Sequence, residues 1–203
     1  MSEANRLILA SGSAARRSML EAAGLTFRVV PADVDEPAIR TAAEASGKDV
    51  SPAAIAGLLA SEKAQAVSRA YPEALVIGAD QVLAFENRIL SKEHSISGAR
   101  QTLLELRGKS HMLVSAVALA RNGAVVWQSS DTAKLTMRNF STAFLESYLE
   151  NSGERILSCV GCYELEGLGV QLFERIEGDY FTILGLPLLP LLACLRDENM
   201  VLA

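Results

Sequence analysis

Two long runs of strand-forming residues, 111–121 and 124–137, are joined by the dipeptide Asn122-Gly123. Asn-Gly between two such runs is the strongest short-range signal for a two-residue hairpin, because both turn positions need a positive φ. The sequence therefore predicts a long antiparallel pair of strands that any fold of this chain must include. We expect this pair to serve as scaffold rather than to carry chemistry.

A strand, a turn and a helix are predicted near the start of the sequence. Residues 7–10 are apolar like a short buried strand, 11–13 (Ser-Gly-Ser) form a turn, and helix formers continue to a stop at Gly24. The first N–H groups of a helix lack internal partners, so this arrangement suits an anion, and Arg16 and Arg17 add positive charge. The same residues also fit a strand–turn–helix unit with two solvated arginines.

Apolar periodicity and helix-capping residues predict the remaining elements. We predict strands at 26–30, 75–79, 82–85, 88–90, 157–165 and 170–176, and helices at 51–70, 97–107 and 141–150. Residues 38–50 are polar and small, which indicates a helix end or a mobile loop. The apolar segment 181–195 is too short and too rich in proline to span a membrane, so we expect a strand end and then a core helix starting near Pro187.

Charge and cysteine content exclude several classes of protein. Lys and Arg number 19 against 24 Asp and Glu, and the net charge of −5 disfavours a general nucleic-acid or membrane-surface binder. No signal-peptide pattern is present, and three cysteines do not make a secreted disulfide framework, so we expect a cytoplasmic protein. Cys159 and Cys162 form a C-x-x-C match, but their strand-like context favours two buried small residues over a redox pair or half a zinc site.

Three charged side chains occupy unusual positions. Lys63 interrupts the apolar stripe of the predicted helix 51–70, which is uncommon unless the lysine snorkels or meets an anion. Asp80 follows the strand 75–79, where open α/β sheets place ligand groups, although an Asp there can also cap a turn. Glu36 lies in an acidic loop, 31–37, that fits either a solvated turn or a ligand for a hard metal ion.

Carboxylates and cations of this kind suit phosphoryl or nucleotidyl chemistry. Cations hold phosphates, carboxylates hold Mg²⁺, and one carboxylate can take a proton from water. The candidate carboxylates are Glu36, Asp80 and Glu166, and the candidate cations are Arg16, Arg17, Lys63 and Lys92.

With these residues assembled, the chain resembles the Maf family of nucleoside triphosphate pyrophosphatases. The resemblance runs nearly end to end and depends on the order and spacing of several short motifs. They are Ser11, Ser13, Arg16 and Leu20; Val34-Asp35-Glu36; Glu62-Lys63-Ala64; Gly78-Ala79-Asp80; Lys92; Glu177-Gly178-Asp179-Tyr180; and Gly185-Leu186-Pro187.

The resemblance implies a single Maf-like domain over residues 1–203, with an α/β fold like that of Maf and ITPase proteins. Such a fold has a mixed twisted sheet flanked by helices and two lobes around a cleft, and a homodimer is a candidate assembly. The implied reaction is hydrolysis of a nucleoside triphosphate to the monophosphate and pyrophosphate with a divalent metal, Mg²⁺ or Mn²⁺. No nucleic-acid or membrane partner is expected.

Residue roles carry over by position from the resemblance. Asp80 would be the proton acceptor or a metal-linked base, and Glu36 a metal ligand beside it. Four residues would hold the triphosphate: Ser11, Arg16, Lys63 and Lys92. Arg17 is then expected to be a surface residue.

Three positions are implied to select the base: Ala15, Gln81 and Glu166. Gln81 and Glu166 look like the branch that acts on 7-methyl-GTP, and both side chains can pair with a purine edge. Ala15 departs from that branch, which tends to carry tryptophan there, and from the pyrimidine branch, which carries arginine. Residues 91–93 (Ser-Lys-Glu) also replace the usual Gly-Lys-Pro. A pyrimidine (dTTP or UTP) pyrophosphatase and a non-catalytic nucleotide-binding regulator of cell division are the alternatives.

Overall fold

The computed structural model describes residues 6–47 and 49–202. The strands are β1 (Leu7–Leu9), β2 (Arg28–Val29), β3 (Leu75–Phe85), β4 (Arg88–Leu90), β5 (Ser110–Arg121), β6 (Ala124–Met137) and β7 (Phe173–Glu177). The helices are α1 (Ala14–Ala22), α2 (Glu36–Ala45), α3 (Pro52–Ala70), α4 (Ile96–Leu106), α5 (Thr142–Ser152), α6 (Tyr180–Ile183) and α7 (Leu188–Asp197). Parallel and antiparallel strands flanked by helices confirm the predicted α/β class.

The chain divides into two compact units. Unit 1 comprises Met1–Gln81, Ser115–Asp131 and Gly185–Ala203, and unit 2 comprises Val82–Val114 and Thr132–Leu184. Strands β3, β5 and β6 contribute residues to both units.

Unit 1 is built on parallel strands and one hairpin. Strand β1, whose three residues are all buried, pairs in parallel with both β2 and β3, and Ile8 lies opposite Arg28 on one side and Val76 on the other. The hairpin between β5 and β6 turns at Asn122 and Gly123, whose φ angles of 50° and 77° confirm the predicted two-residue turn.

Helix α3 lies unusually close to strand β3. The helix begins as predicted, with the Ser51 side chain accepting from Ala54 N and Pro52 in the first turn. A Cβ added to Gly78 of β3 would lie 2.2 Å from the Ala60 carbonyl oxygen and 2.6 Å from Ala64 N. Only a glycine allows this approach, which brings the middle of α3 beside the strand residues just before Asp80.

Unit 2 has its own apolar core. Strand β4 pairs antiparallel with the end of β3, and β7 pairs antiparallel with the end of β6. The core includes Phe85, Leu103, Phe140 and Leu145. Buried His111 shares this unit with the ring of Tyr163, whose hydroxyl lies 2.7 Å from His111 Nε2.

Residues 36–45 form helix α2, so of the two alternatives for 38–50 the helix end is correct, although the helix is longer than predicted. The Asp35 side chain caps the helix by accepting from Ala38 N at 3.0 Å, and Pro37 lies in its first turn. Glu36 is consequently the first residue of a helix rather than part of an acidic loop.

Three other predictions fail near the C-terminal third. Residues 157–165 form no strand, because a 3₁₀ segment (Gly153–Ser158) leads into a turn where Gly161 and Cys162 have φ angles of 85° and 60°. A second 3₁₀ segment (Leu168–Leu172) replaces the first part of the strand at 170–176, and β7 begins only at Phe173. A short helix, α6, capped by Asp179, replaces the strand end expected at 181. Helix α7 follows Pro187 as predicted, and no helix within the described ranges is long and apolar enough to cross a membrane.

Candidate active site

Arg16 holds the N-terminal turn of α1 to the middle of β3 within unit 1. Its Nε donates to the Gly185 carbonyl at 2.8 Å, and its Nη1 donates to Ser11 Oγ at 3.1 Å and to the Ala79 carbonyl at 3.0 Å. Five N–H groups are available on a guanidinium, so these bonds leave the two on Nη2 for an anion. Burial lowers the pKa of the Arg16 guanidinium, whereas the nearby charges of Asp80 and Glu36 raise it.

Lys63 joins two carboxylates from different elements. Its Nζ lies 2.7 Å from Asp80 Oδ1 and 2.7 Å from Glu36 Oε1 at the start of α2. The prediction that Asp80 follows the end of a strand is wrong, because β3 continues from Leu75 to Phe85 and Asp80 lies in its middle. The Lys63 side chain is only 12% exposed, and that of Asp80 only 8%. The apolar-stripe position of Lys63 is therefore explained by two anionic partners rather than by snorkelling.

Asp80 is the most enclosed charged group of this network. Its second oxygen, Oδ2, is buried and has no hydrogen-bond partner among the described residues. A buried acceptor without a partner costs about 1–3 kcal/mol, so it is a position where a ligand, a water or a cation is favoured. Within the described ranges, no group of three or more His, Cys, Asp or Glu residues is placed to hold a metal ion.

The residues predicted to select the base lie in different surroundings. Gln81 follows Asp80 on β3, and its Nε2 donates to Oγ of the buried Ser115 at 3.0 Å. Ala15 is half-buried in the first turn of α1. Both residues belong to unit 1, as do Ser11, Arg16, Glu36, Lys63 and Asp80.

Lys92 and Glu166 belong to unit 2, where both side chains are exposed. Each lies close enough to Cys159 to act on its thiol: burial raises the pKa of Cys159, the charges of Glu164 and Glu166 raise it further, and Lys92 lowers it. The C-x-x-C pair therefore lies near both predicted site residues of unit 2, in a turn rather than a strand.

Three groups that shape the site were not predicted from the sequence. The Gly185 and Ala79 carbonyls hold Arg16, and no sequence pattern reports a backbone acceptor that serves a distant side chain. Gly78 sets the approach of α3 to β3, and a glycine inside a strand pattern was the available signal.

Comparison with known proteins gives consistent similarities over almost the whole chain. The family described as Maf-like protein matches residues 6–198. A nucleoside triphosphate pyrophosphatase of Granulibacter bethesdensis is 50% identical over 194 residues, 96% of this chain and 98% of that protein. One of Paramagnetospirillum magneticum is 52% identical over 192 residues, 95% of this chain and 98% of that protein. A 7-methyl-GTP pyrophosphatase of Rhizobium etli is 50% identical over 192 residues, 95% of this chain and 96% of that protein.

Proposed function

Because this chain belongs to the Maf family and is a nucleoside triphosphate pyrophosphatase, we propose that its hydrolytic centre is the network of Glu36, Lys63 and Asp80. The observation that carries the proposal is the buried Asp80 carboxylate, with one oxygen on Lys63 and the other without a partner. A carboxylate held in this way is oriented, and its second oxygen is available to substrate or water.

The reaction is attack of a water molecule on the α-phosphorus of a nucleoside triphosphate, which releases the monophosphate and pyrophosphate. Asp80 accepts the proton of that water, and Lys63 holds the carboxylate in one orientation. Arg16 offers its Nη2 donors to phosphate oxygens, with Ser11 beside it in the same turn. Lys92 is proposed as a further phosphate-binding residue.

Glu36 and Asp80 are the residues that would hold a divalent cation, Mg²⁺ or Mn²⁺. The unpartnered Oδ2 of Asp80 fits a cation, and two carboxylates suit Mg²⁺, which fills its other positions with water and phosphate oxygens. A carboxylate has about four acceptor sites, enough for Lys63, a cation and a water proton. When bound, the cation would neutralise charge that develops on the departing pyrophosphate.

We propose 7-methyl-GTP as the first substrate to test. Gln81 is held by Ser115, so its amide is oriented before a base arrives. Glu166 of unit 2 stays a prediction of the resemblance. The Rhizobium etli relative named for this activity supports the choice. Ala15 provides no aromatic platform, so UTP and dTTP belong in the same panel.

The test is pyrophosphate release from 7-methyl-GTP, GTP, UTP and dTTP, each with Mg²⁺, with Mn²⁺ and with a chelator. We expect release from at least one nucleotide, its loss with the chelator, and its loss in Asp80→Asn with the fold intact by circular dichroism. Asp33→Asn is the matched control, because Asp33 is an exposed carboxylate near the same end of α2. Full activity of Asp80→Asn would exclude Asp80 as the base, and nucleotide binding without release would favour the regulator.

A further inference from the structure

Arg40 lies on the same face of α2 as Glu36, one helical turn later. Side chains four residues apart on a helix are neighbours, and Ala43, three residues further on, is the buried residue of this face. Helix α2 packs against α3, and Glu36 of this face contacts Lys63 of α3. Arg40 is therefore on the side of α2 that faces the proposed hydrolytic centre, not on its solvent side.

The Nε of Arg40 has no hydrogen-bond acceptor in the part of the chain that the structure describes. This nitrogen is buried, so solvent water does not reach it either. By contrast, five other arginines pair with carboxylates: Arg17, Arg88, Arg100, Arg121 and Arg175. Burying a donor without an acceptor is costly, so the position favours an anionic ligand that is absent from the free chain.

The direction of the side chain and the charge of the site both favour phosphate. Long side chains on a helix lean toward its N-terminus, which brings the Arg40 guanidinium toward the turn of Glu36. In unit 1, the positive charges of Arg16 and Lys63 are offset by Asp80 and Glu36. A triphosphate adds further negative charge to this balanced set, and the planar guanidinium of Arg40 matches phosphate oxygens.

We propose that Arg40 binds the β- and γ-phosphates, the part of the substrate that leaves as pyrophosphate. The proposal rests on the proposed function, which places the α-phosphorus beside Asp80. Contacts run from Asp80 through Lys63 to Glu36, and Arg40 lies one helical turn beyond Glu36. Because Arg40 lies beyond Glu36 on this path, it binds the phosphates farthest from the nucleoside.

The test measures product binding, which needs no turnover. Titration calorimetry compares the affinity of pyrophosphate with that of a nucleoside monophosphate for wild type, Arg40→Gln and Arg40→Lys, with Mg²⁺ present. Arg17→Gln is the matched control, because Arg17 is an exposed arginine of α1 paired with Glu21. We expect Arg40→Gln to weaken pyrophosphate about tenfold or more, with partial recovery in Arg40→Lys, unchanged monophosphate affinity and no effect of Arg17→Gln.

Two outcomes would overturn the proposal: wild-type pyrophosphate affinity in Arg40→Gln, or an equal loss for pyrophosphate and monophosphate, which would indicate a structural role. Steady-state kinetics add a second readout, since the KM for the triphosphate should rise in Arg40→Gln while Arg17→Gln stays at wild type. If Arg40 governs pyrophosphate affinity but no nucleotide is hydrolysed by wild type, the proposed function fails and the assignment of Arg40 stands.

Discussion

Replacing Gly78 by alanine should separate α3 from β3 and impair both stability and catalysis. The added Cβ would lie 2.2 Å from the Ala60 carbonyl oxygen, whereas ordinary contacts begin at 3.4 Å, so helix and strand must move apart by about 1 Å. Overpacking of this kind costs about 1–3 kcal/mol, and the lower entropy of the unfolded alanine chain returns about 0.4–1 kcal/mol. We expect a net loss of about 1–2 kcal/mol in the free energy of unfolding.

The catalytic effect of Gly78→Ala should exceed its effect on stability. The same displacement separates Lys63 from Asp80, whose 2.7 Å contact orients the proposed base, and a misplacement of about 1 Å can cost about a hundredfold in rate. Urea denaturation and pyrophosphate release measure the two effects. Gly12→Ala is the stability control, because its Cβ would meet only Pro31 Cγ at 3.9 Å. Wild-type stability and wild-type kcat/KM in Gly78→Ala would show that the contact between α3 and β3 does not depend on a glycine at position 78.

Two further predictions concern buried charged and titratable groups. Lys63→Met should abolish turnover and lower the free energy of unfolding by about 3 kcal/mol, because Asp80 loses its counter-ion. Adding Asp80→Asn to this variant should restore stability but not activity. If urea denaturation shows no loss of stability in Lys63→Met alone, the prediction is contradicted. Burial lowers the pKa of His111 to about 4 from an ordinary 6.5. As the pH falls, His111 is therefore protonated in the unfolded chain before it is protonated in the folded one. The free energy of unfolding should then fall by about 3 kcal/mol between pH 6.5 and pH 4. His111→Gln should flatten that part of the pH profile of unfolding, and an unchanged slope would contradict the assignment.

The elements predicted correctly are those whose signals are local. The turn at Asn122 and Gly123 and the start of α3 at Ser51 depend on residues adjacent in sequence, and the structure contains both. The start of helix α2, which was not predicted, also has local signals, since Asp35 caps it and Pro37 lies in its first turn. These signals are hard to read because the apolar face of the helix consists mainly of small alanines.

The errors around residues 157–165 have a different cause. Apolar residues there resemble a buried strand, but Gly161 and Cys162 adopt positive φ angles, which the pattern of apolar residues does not report. For the site, the position of Lys63 within the apolar stripe of α3 indicated an anionic partner, and Asp80 and Glu36 are such partners. The backbone acceptors of Arg16 could not be predicted, because tertiary structure alone brings the Gly185 carbonyl to it.

The bond between Arg16 Nε and the Gly185 carbonyl joins residues 169 positions apart, and this spacing sets an order of events during synthesis. Ribosomes add about 5–20 residues per second, so the carbonyl is made roughly 10–30 s after the arginine. Until then the guanidinium lacks its acceptor, even if the strands of the first eighty or so residues have already paired. A nascent chain therefore cannot complete this bond before Gly185 has been added, and the anchoring of Arg16 has to wait for that residue.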